Sequence, residues 1–210
     1  MPVATEIAAF LREESLKRFL RYVTVHTTSD EATGTNPSSA RQFDLARIVE
    51  GELKELGVAV EVDEFCYLYA TLPQSDGATG PATGFIAHFD TSPAVSGENV
   101  RPVIHKNYDG GKILFADDPN LVLGPDDSKE LLEFVGQDII TASGTTLLGA
   151  DDKAGIAAIM GALEILVQEP EIPRPTLRVC FNADEEIGRG ADRFPMARFD
   201  CPVAFTVDGS

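Results

Sequence analysis

Gly149-Ala150-Asp151-Asp152-Lys153-Ala154-Gly155 opens a helix that the apolar pattern carries from Ala154 to Val167. Thr176-Leu177-Arg178-Val179-Cys180-Phe181 then follows as a strand, ending in the acidic turn Asp184-Glu185-Glu186. A helix feeding an apolar strand whose end is charged is the repeating unit of an α/β sheet. Upstream, Thr83 to Phe89 is apolar and bounded by turn signals, as a buried strand would be. Downstream, Met196 and Arg198 fall in a short helix, and Pro202 to Val207 reads as a last strand before Asp208-Gly209-Ser210.

The remaining segments extend this pattern. Ile7, Phe10, Leu11, Leu16, Phe19 and Leu20 recur with helical spacing, which predicts an amphipathic helix from Thr5 to Val23. A polar loop from Thr27 to Ser39 contains Gly34 and Pro37. A second helix is predicted from Ser39 to Leu56, stopped by Gly57. Strand-like runs follow at Val58 to Val62 and Cys66 to Leu72, with a turn at Gln74 to Pro81. Thr91 to Thr141 is the least regular stretch, yet Ile113 to Phe115 and Leu121 to Leu123 are apolar. Short hairpins are expected there, because a structureless loop of that length is unusual in a compact domain. The fold expected is a three-layer α/β/α sandwich around a twisted, mostly parallel sheet.

The 210 residues, 43% of them hydrophobic, suffice for one domain or a domain and a half. A net charge of -17 repels phosphate and excludes nucleic acid as a partner. It reads either as solubility or as carboxylates neutralised by metal. Three cysteines, Cys66, Cys180 and Cys201, form no C-x-x-C pair and no disulfide framework, which favours a reducing, cytoplasmic compartment. Cys180 reads as a small buried hydrophobe. Glu6, Arg12, Glu13 and Glu14 interrupt the N-terminal apolar residues, so no signal peptide or membrane span is read and no membrane partner is expected.

Four polar clusters share one position, the C-terminal end of an apolar strand or the entrance to a helix. They are His88-Phe89-Asp90, Asp151-Asp152, Asp184-Glu185-Glu186 and Asp208. Ligands of open α/β sheets bind outside the strands' carboxyl ends, so the four can converge on one cleft. His88 and Asp90 point to one face of an extended strand, as a metal ligand and its oxygen acceptor would, or as a histidine satisfied locally. Of Asp151 and Asp152 only one need face the cleft, and the helix N-terminus favours both regardless of function. Glu185 and Glu186 are an ordinary charged turn, or one metal ligand beside one proton carrier. His26 and His105 read as solvent-facing or locally bonded.

The motifs together resemble the peptidase T family of tripeptide aminopeptidases, within the two-zinc aminopeptidase and deacylase superfamily. They are Gly84-Phe85-Ile86-Ala87-His88-Phe89-Asp90-Thr91-Ser92-Pro93, Thr145 to Ala157, Asn182-Ala183-Asp184-Glu185-Glu186-Ile187-Gly188, Thr206-Val207-Asp208-Gly209, and Asn107-Tyr108-Asp109-Gly110-Gly111. The resemblance implies metal ligands His88, Asp151, Glu186 and Asp208, with Asp151 bridging two zincs. It implies Glu185 as general base and acid, and Asp90 as the residue that orients His88. Two cations would polarise the scissile carbonyl of a short peptide and acidify a bridging water. Zinc suits this donor set, with manganese or cobalt as substitutes. By the same resemblance residues 1–210 are the N-terminal portion of a catalytic domain. A late zinc-binding histidine, a lid that makes the homodimer and a C-terminal catalytic segment are expected beyond Ser210, leaving the activity of these residues alone open. A related deacylase or carboxypeptidase, a metal-binding domain without catalysis, and a magnesium phosphotransferase built on Asp-Gly-Ser are the other readings. The last would want a nucleophilic aspartate near the N-terminus, where this chain instead pairs its first strand-end aspartate with a histidine.

Overall fold

The computed structural model describes residues 4–209. In chain order the elements are α1 (Ala4–Tyr22), α2 (Gln42–Glu55), β1 (Ala59–Val62), β2 (Leu68–Leu72), β3 (Thr83–His88), β4 (Val103–His105), β5 (Ile113–Leu114), β6 (Val122–Leu123), β7 (Ile139–Thr141), α3 (Ala150–Gln168), β8 (Leu177–Asn182), α4 (Met196–Phe199) and β9 (Val203–Thr206).

The central sheet has the order β1-β2-β8-β3-β9. β8 pairs parallel with β3 and β3 with β9, while β2 is antiparallel to both of its neighbours. Only β2 therefore runs against the other four, and the expected mostly parallel α/β sheet is what forms. The alternation of side chains along the strands explains the two faces. Leu68, Ala70, Leu72, Leu177, Val179, Phe181 and Ala87 enter the main core, and the intervening Tyr67, Tyr69 and Cys180 enter a second, smaller one.

The three long helices lie on the main-core face. α3 is apolar nearly all round, because it is enclosed between α1 and β3. Gly161 makes that closeness possible: a Cβ there would stand 2.7 Å from Ser15 Oγ on α1. Arg18 ties all three helices, reaching Glu52 on α2 at 2.9 Å and Glu164 on α3 at 2.6 Å. The opposite face is covered more thinly. Among the described residues only the four-residue α4 lies there, its Phe199 against Tyr67, Tyr69 and Cys180, so the third layer is one helical turn and its flanking loop.

The irregular stretch is organised as expected from its apolar patches. β4 pairs with β7, β5 with β6, and Tyr108, Ile113 and Leu131 form a third small core. No helix of the described residues is long and apolar enough to cross a membrane.

Candidate metal centre

The strand register brings the site together. In β3 and β8 His88 lies opposite Asn182, and Phe89 N donates to Asn182 O at 2.8 Å. In β3 and β9 Ile86 lies opposite Thr206, and Val207 N donates to Ile86 O. Three parallel strands thus end level, and the residues just beyond them, His88 to Asp90, Asp184 to Glu186 and Asp208, share one edge. α3 adds the fourth member from the main-core face. Its first turn is not yet helical: Asp151 and Asp152 have φ/ψ of -79/110° and -119/33°, a cis peptide joins them, and Gly149 before them has φ 74°. Regular helix begins after Asp152, close to the start read from the sequence.

His88 is the hub, and it is buried. Its Nδ1 lies 3.0 Å from the Asp90 main-chain oxygen and 3.3 Å from Asp90 Oδ1. Its Nε2 faces Asp151 Oδ1 at 2.9 Å, Glu185 Oε2 at 3.8 Å and Asp208 Oδ2 at 4.0 Å. Potential ligand atoms of His88, Asp151 and Asp208 all lie within 4.8 Å of one another. The buried Asp90 carboxylate also accepts the main-chain N–H of Glu185 at 3.0 Å and of Glu186 at 3.1 Å. One side chain therefore orients the imidazole and grips the turn that carries both glutamates. Glu186 is close enough to feel Asp151, His88, Asp90 and Glu185 electrostatically.

Two residues that the sequence left undifferentiated are prominent. Asp152 is buried, where it accepts N–H from His88 at 3.3 Å and from Gly155 at 3.1 Å. Lys153 is fully buried, and its Nζ donates to Val25 O at 2.7 Å, pinning the chain before the Thr27 loop to α3. Nothing in their spacing separates them from ordinary helix-entrance charges. His26 and His105 are locally bonded, His26 to Thr28 and Arg41, His105 to Thr141.

The titration of the site follows from burial and neighbours. Burial pulls the His88 imidazole down, but its hydrogen bond to Asp90 and the charges of Asp90, Asp152 and Glu185 outweigh that and raise it to about 10. Both ring nitrogens thus carry protons toward acceptors. Burial raises Asp152 to about 7, helped by Asp208 and opposed by His88. Burial lowers Lys153 to about 7 against the pull of Asp90. Partial burial raises the Glu186 carboxyl, with Asp151, Asp90 and Glu185 adding to the effect and His88 opposing it.

The donor set fits a hard or borderline cation. Several carboxylates crowd around one imidazole, and in a metal complex a cation at Nε2 would take the place of the imidazolium proton. Two clefts border these residues. One of about 510 Å³ is bordered by Asp151, Gly155, Ala158, Val207 and Asp208, the other, of about 320 Å³, by Ile86, His88, Glu185, Gly188, Phe194 and Thr206.

No family model matches the chain. Individual curated proteins do. Over 194 residues, 92% of this chain and 47% of the other, it is 53% identical to peptidase T of Desulfitobacterium hafniense (strain Y51). The chain is a homologue of peptidase T. Peptidase T of Alkaliphilus oremlandii is 50% identical over 197 residues, again 92% of this chain and 48% of the relative. The chain spans about half the length of the curated peptidase T relatives it matches. Among solved structures, aminopeptidase PepT of Bacillus cereus superposes with a TM-score of 0.66 at 24% identity, over 95% of this chain and 44% of that one. That likeness shows a shared fold.

Proposed function

We propose that the chain is the N-terminal portion of the catalytic domain of a metal-dependent aminopeptidase that removes the N-terminal residue of short peptides, tripeptides above all. The observation that carries this reading is the convergence of His88, Asp151 and Asp208, with Glu185 beside His88, at the level ends of three parallel strands in a peptidase T homologue.

His88, Asp151, Glu186 and Asp208 would hold the metal, which we take to be zinc because one imidazole among carboxylates suits it, with manganese or cobalt as substitutes. When bound, the metal supplies polarisation of the scissile carbonyl and acidification of water. The chain's own residues do the rest. Glu185, whose side chain is half exposed at the cleft, takes a proton from the attacking water and returns it to the leaving amine. Asp90 fixes the ring of His88 and, through the two amides it binds, the position of Glu185. The cleft at His88 and Glu185 and the one at Asp151 and Asp208 leave room for a short peptide.

The expected late histidine would complete the second metal position, and a lid beyond these residues would make the homodimer. Cys66 and Cys180 are free and buried, which supports a reducing compartment, the cytoplasm. The test is hydrolysis of a tripeptide series by a protein of the relatives' full length carrying these residues, with and without chelator. Chelator-sensitive release of the N-terminal residue supports the reading. Chelator-resistant hydrolysis, or none with the metal present, sinks it.

A further inference from the structure

Asp184, the first acid of the Asp184-Glu185-Glu186 turn, faces away from the metal centre. Its side chain is fully buried, and three neutral donors converge on its carboxylate. Ser38 N donates to Oδ2 at 2.7 Å, Ser38 Oγ to Oδ1 at 2.5 Å, and Gln42 Nε2 to Oδ1 at 2.7 Å. Gln42, itself fully buried at the start of α2, returns a bond: its Oε1 accepts the Asp184 main-chain N–H at 3.2 Å. The contact between Asp184 and Gln42 is therefore reciprocal and uses both ends of the amide. Ser38 Oγ also accepts the Asp30 N–H at 2.9 Å, which draws the Thr27–Ser39 loop into the same unit.

The geometry of the turn depends on this anchor. Asp184 sits at φ 62°, ψ 27°, the left-handed region, which residues with a Cβ seldom occupy and which aspartate and asparagine tolerate best. The very next two amides, those of Glu185 and Glu186, are the ones that reach Asp90. The turn is thus gripped from two sides, by Asp90 on the metal side and by Ser38 and Gln42 on the other. Sequence separations of 142 and 146 residues make it a long-range clamp and not a local turn motif.

We infer that Asp184, with Gln42 and Ser38, is the positioning device for Glu185 and Glu186: it holds the turn in the one conformation that aims the proton carrier and the metal ligand at His88. The inference rests on the roles proposed above for those two glutamates, but its first test needs neither metal nor activity. It also explains why a polar loop and the start of α2, both remote in sequence from every metal-site motif, are packed behind the centre.

The test exploits the reciprocal hydrogen bonding. Asp184→Asn places an amide N–H against donors. Gln42→Glu opposes two carboxylates. In the double variant the asparagine N–H donates to the carboxylate introduced at position 42 and to Ser38 Oγ, while its oxygen still accepts the Ser38 N–H. The carboxylate introduced at position 42 still accepts the main-chain N–H of residue 184. The bonds between positions 184 and 42 and the bond from the Ser38 N–H are made again and the net charge is unchanged; only the Ser38 hydroxyl proton loses the acceptor that Asp184 gave it.

Amide hydrogen exchange of the metal-free chain reads the outcome. In Asp184→Asn the amides of Glu185 and Glu186 are expected to exchange about tenfold faster or more, while those of Val179 and Cys180 in the sheet centre keep their protection. The double variant is expected to return both turn amides to within about threefold of the starting rate. Cobalt(II), added to the same proteins, is expected to show a visible band altered in the single variant and restored in the double.

Unchanged turn amides in Asp184→Asn would overturn the inference. So would a double variant no better protected than Asp184→Asn, or one that fails to fold. Should the single variant itself not fold, restored folding and turn protection in the double still supports the clamp. Failure of the starting chain to take up cobalt would count against the metal-site reading alone, since the exchange arm stands without it.

Discussion

At the scale of the residue, Glu185 and Glu186 are neighbours with different surroundings. Glu185 reaches toward His88 from an exposed position, and Glu186 is partly buried and shifted by Asp151. In a protein of the relatives' full length, Glu185→Gln is expected to keep metal content and lower turnover by about 10²- to 10⁴-fold, the size of a general acid–base contribution. Glu186→Gln is expected to lose or weaken one metal, because an amide is a poorer ligand than a carboxylate. Metal content by atomic absorption beside tripeptide hydrolysis separates the two, and metal loss following Glu185 would reverse the assignment. His88 supplies a second prediction. Its pKa, raised to about 10, means that the metal-free site carries the imidazolium proton at pH 8, whereas Lys153 and Asp152, both near 7, have largely lost theirs. A cation must expel the His88 proton, so zinc affinity is expected to rise with pH up to about 10, and binding at pH 8 to release at least about one proton. Titration calorimetry in buffers of different ionisation enthalpy measures that number, and a value near zero would contradict it. These shifts were not legible in the sequence, because they depend on which of several nearby acids is buried, and the two halves of Asp151-Asp152 look alike until the backbone turns one inward.

At the scale of the element, the decisive junction is the start of α3 against the end of β9. Gly155 lies where a Cβ would collide with the Val207 carbonyl and with the Asp152 carboxylate. The missing side chain lets the helix approach the strand end that presents Asp208. Gly155→Ala is expected to destabilise the chain by about 1–3 kcal/mol, as overpacking does, and to weaken metal binding by moving Asp151 and Asp208 apart. Thermal unfolding with and without zinc checks both, and a fully stable variant with normal binding would refute this role. Most elements were readable in advance, since β3, β8 and β9 are apolar runs with acidic residues just beyond their ends and the long helices are either amphipathic or, like α3, continuous apolar stretches. The thin third layer was not. The short helix at Met196 and Arg198 was read, but strand alternation tells that a face is apolar without telling how much covers it. Ser38 and Gln42 were missed for a related reason: a polar residue at a helix start reads as solvated, and only the distant Asp184 makes it part of the core.

At the scale of the whole molecule, the carboxylates crowded around His88 are a small part of the 34 acidic residues behind the net charge of -17, and they are the ones placed where a cation would meet them. The convergence of the three strand-end clusters was legible because parallel neighbours deliver the residues after their ends to one edge, where the entrance of α3 adds Asp151. Their mutual distances were not, because register is set by packing across β2, β8, β3 and β9. The far edge of the sheet remains open, with Val203 and Phe205 of β9 about half exposed, in a chain that spans about half of its relatives. Zinc binding by these residues is accordingly expected to be weak, with the side formed by His88 and Asp208 the better made. The most direct test of the central claim is a zinc titration of the chain beside its His88→Ala variant at pH 8. The account predicts weak, saturable uptake by the chain that the variant loses. No uptake by the chain, two tightly held zincs, or uptake that survives His88→Ala would contradict it.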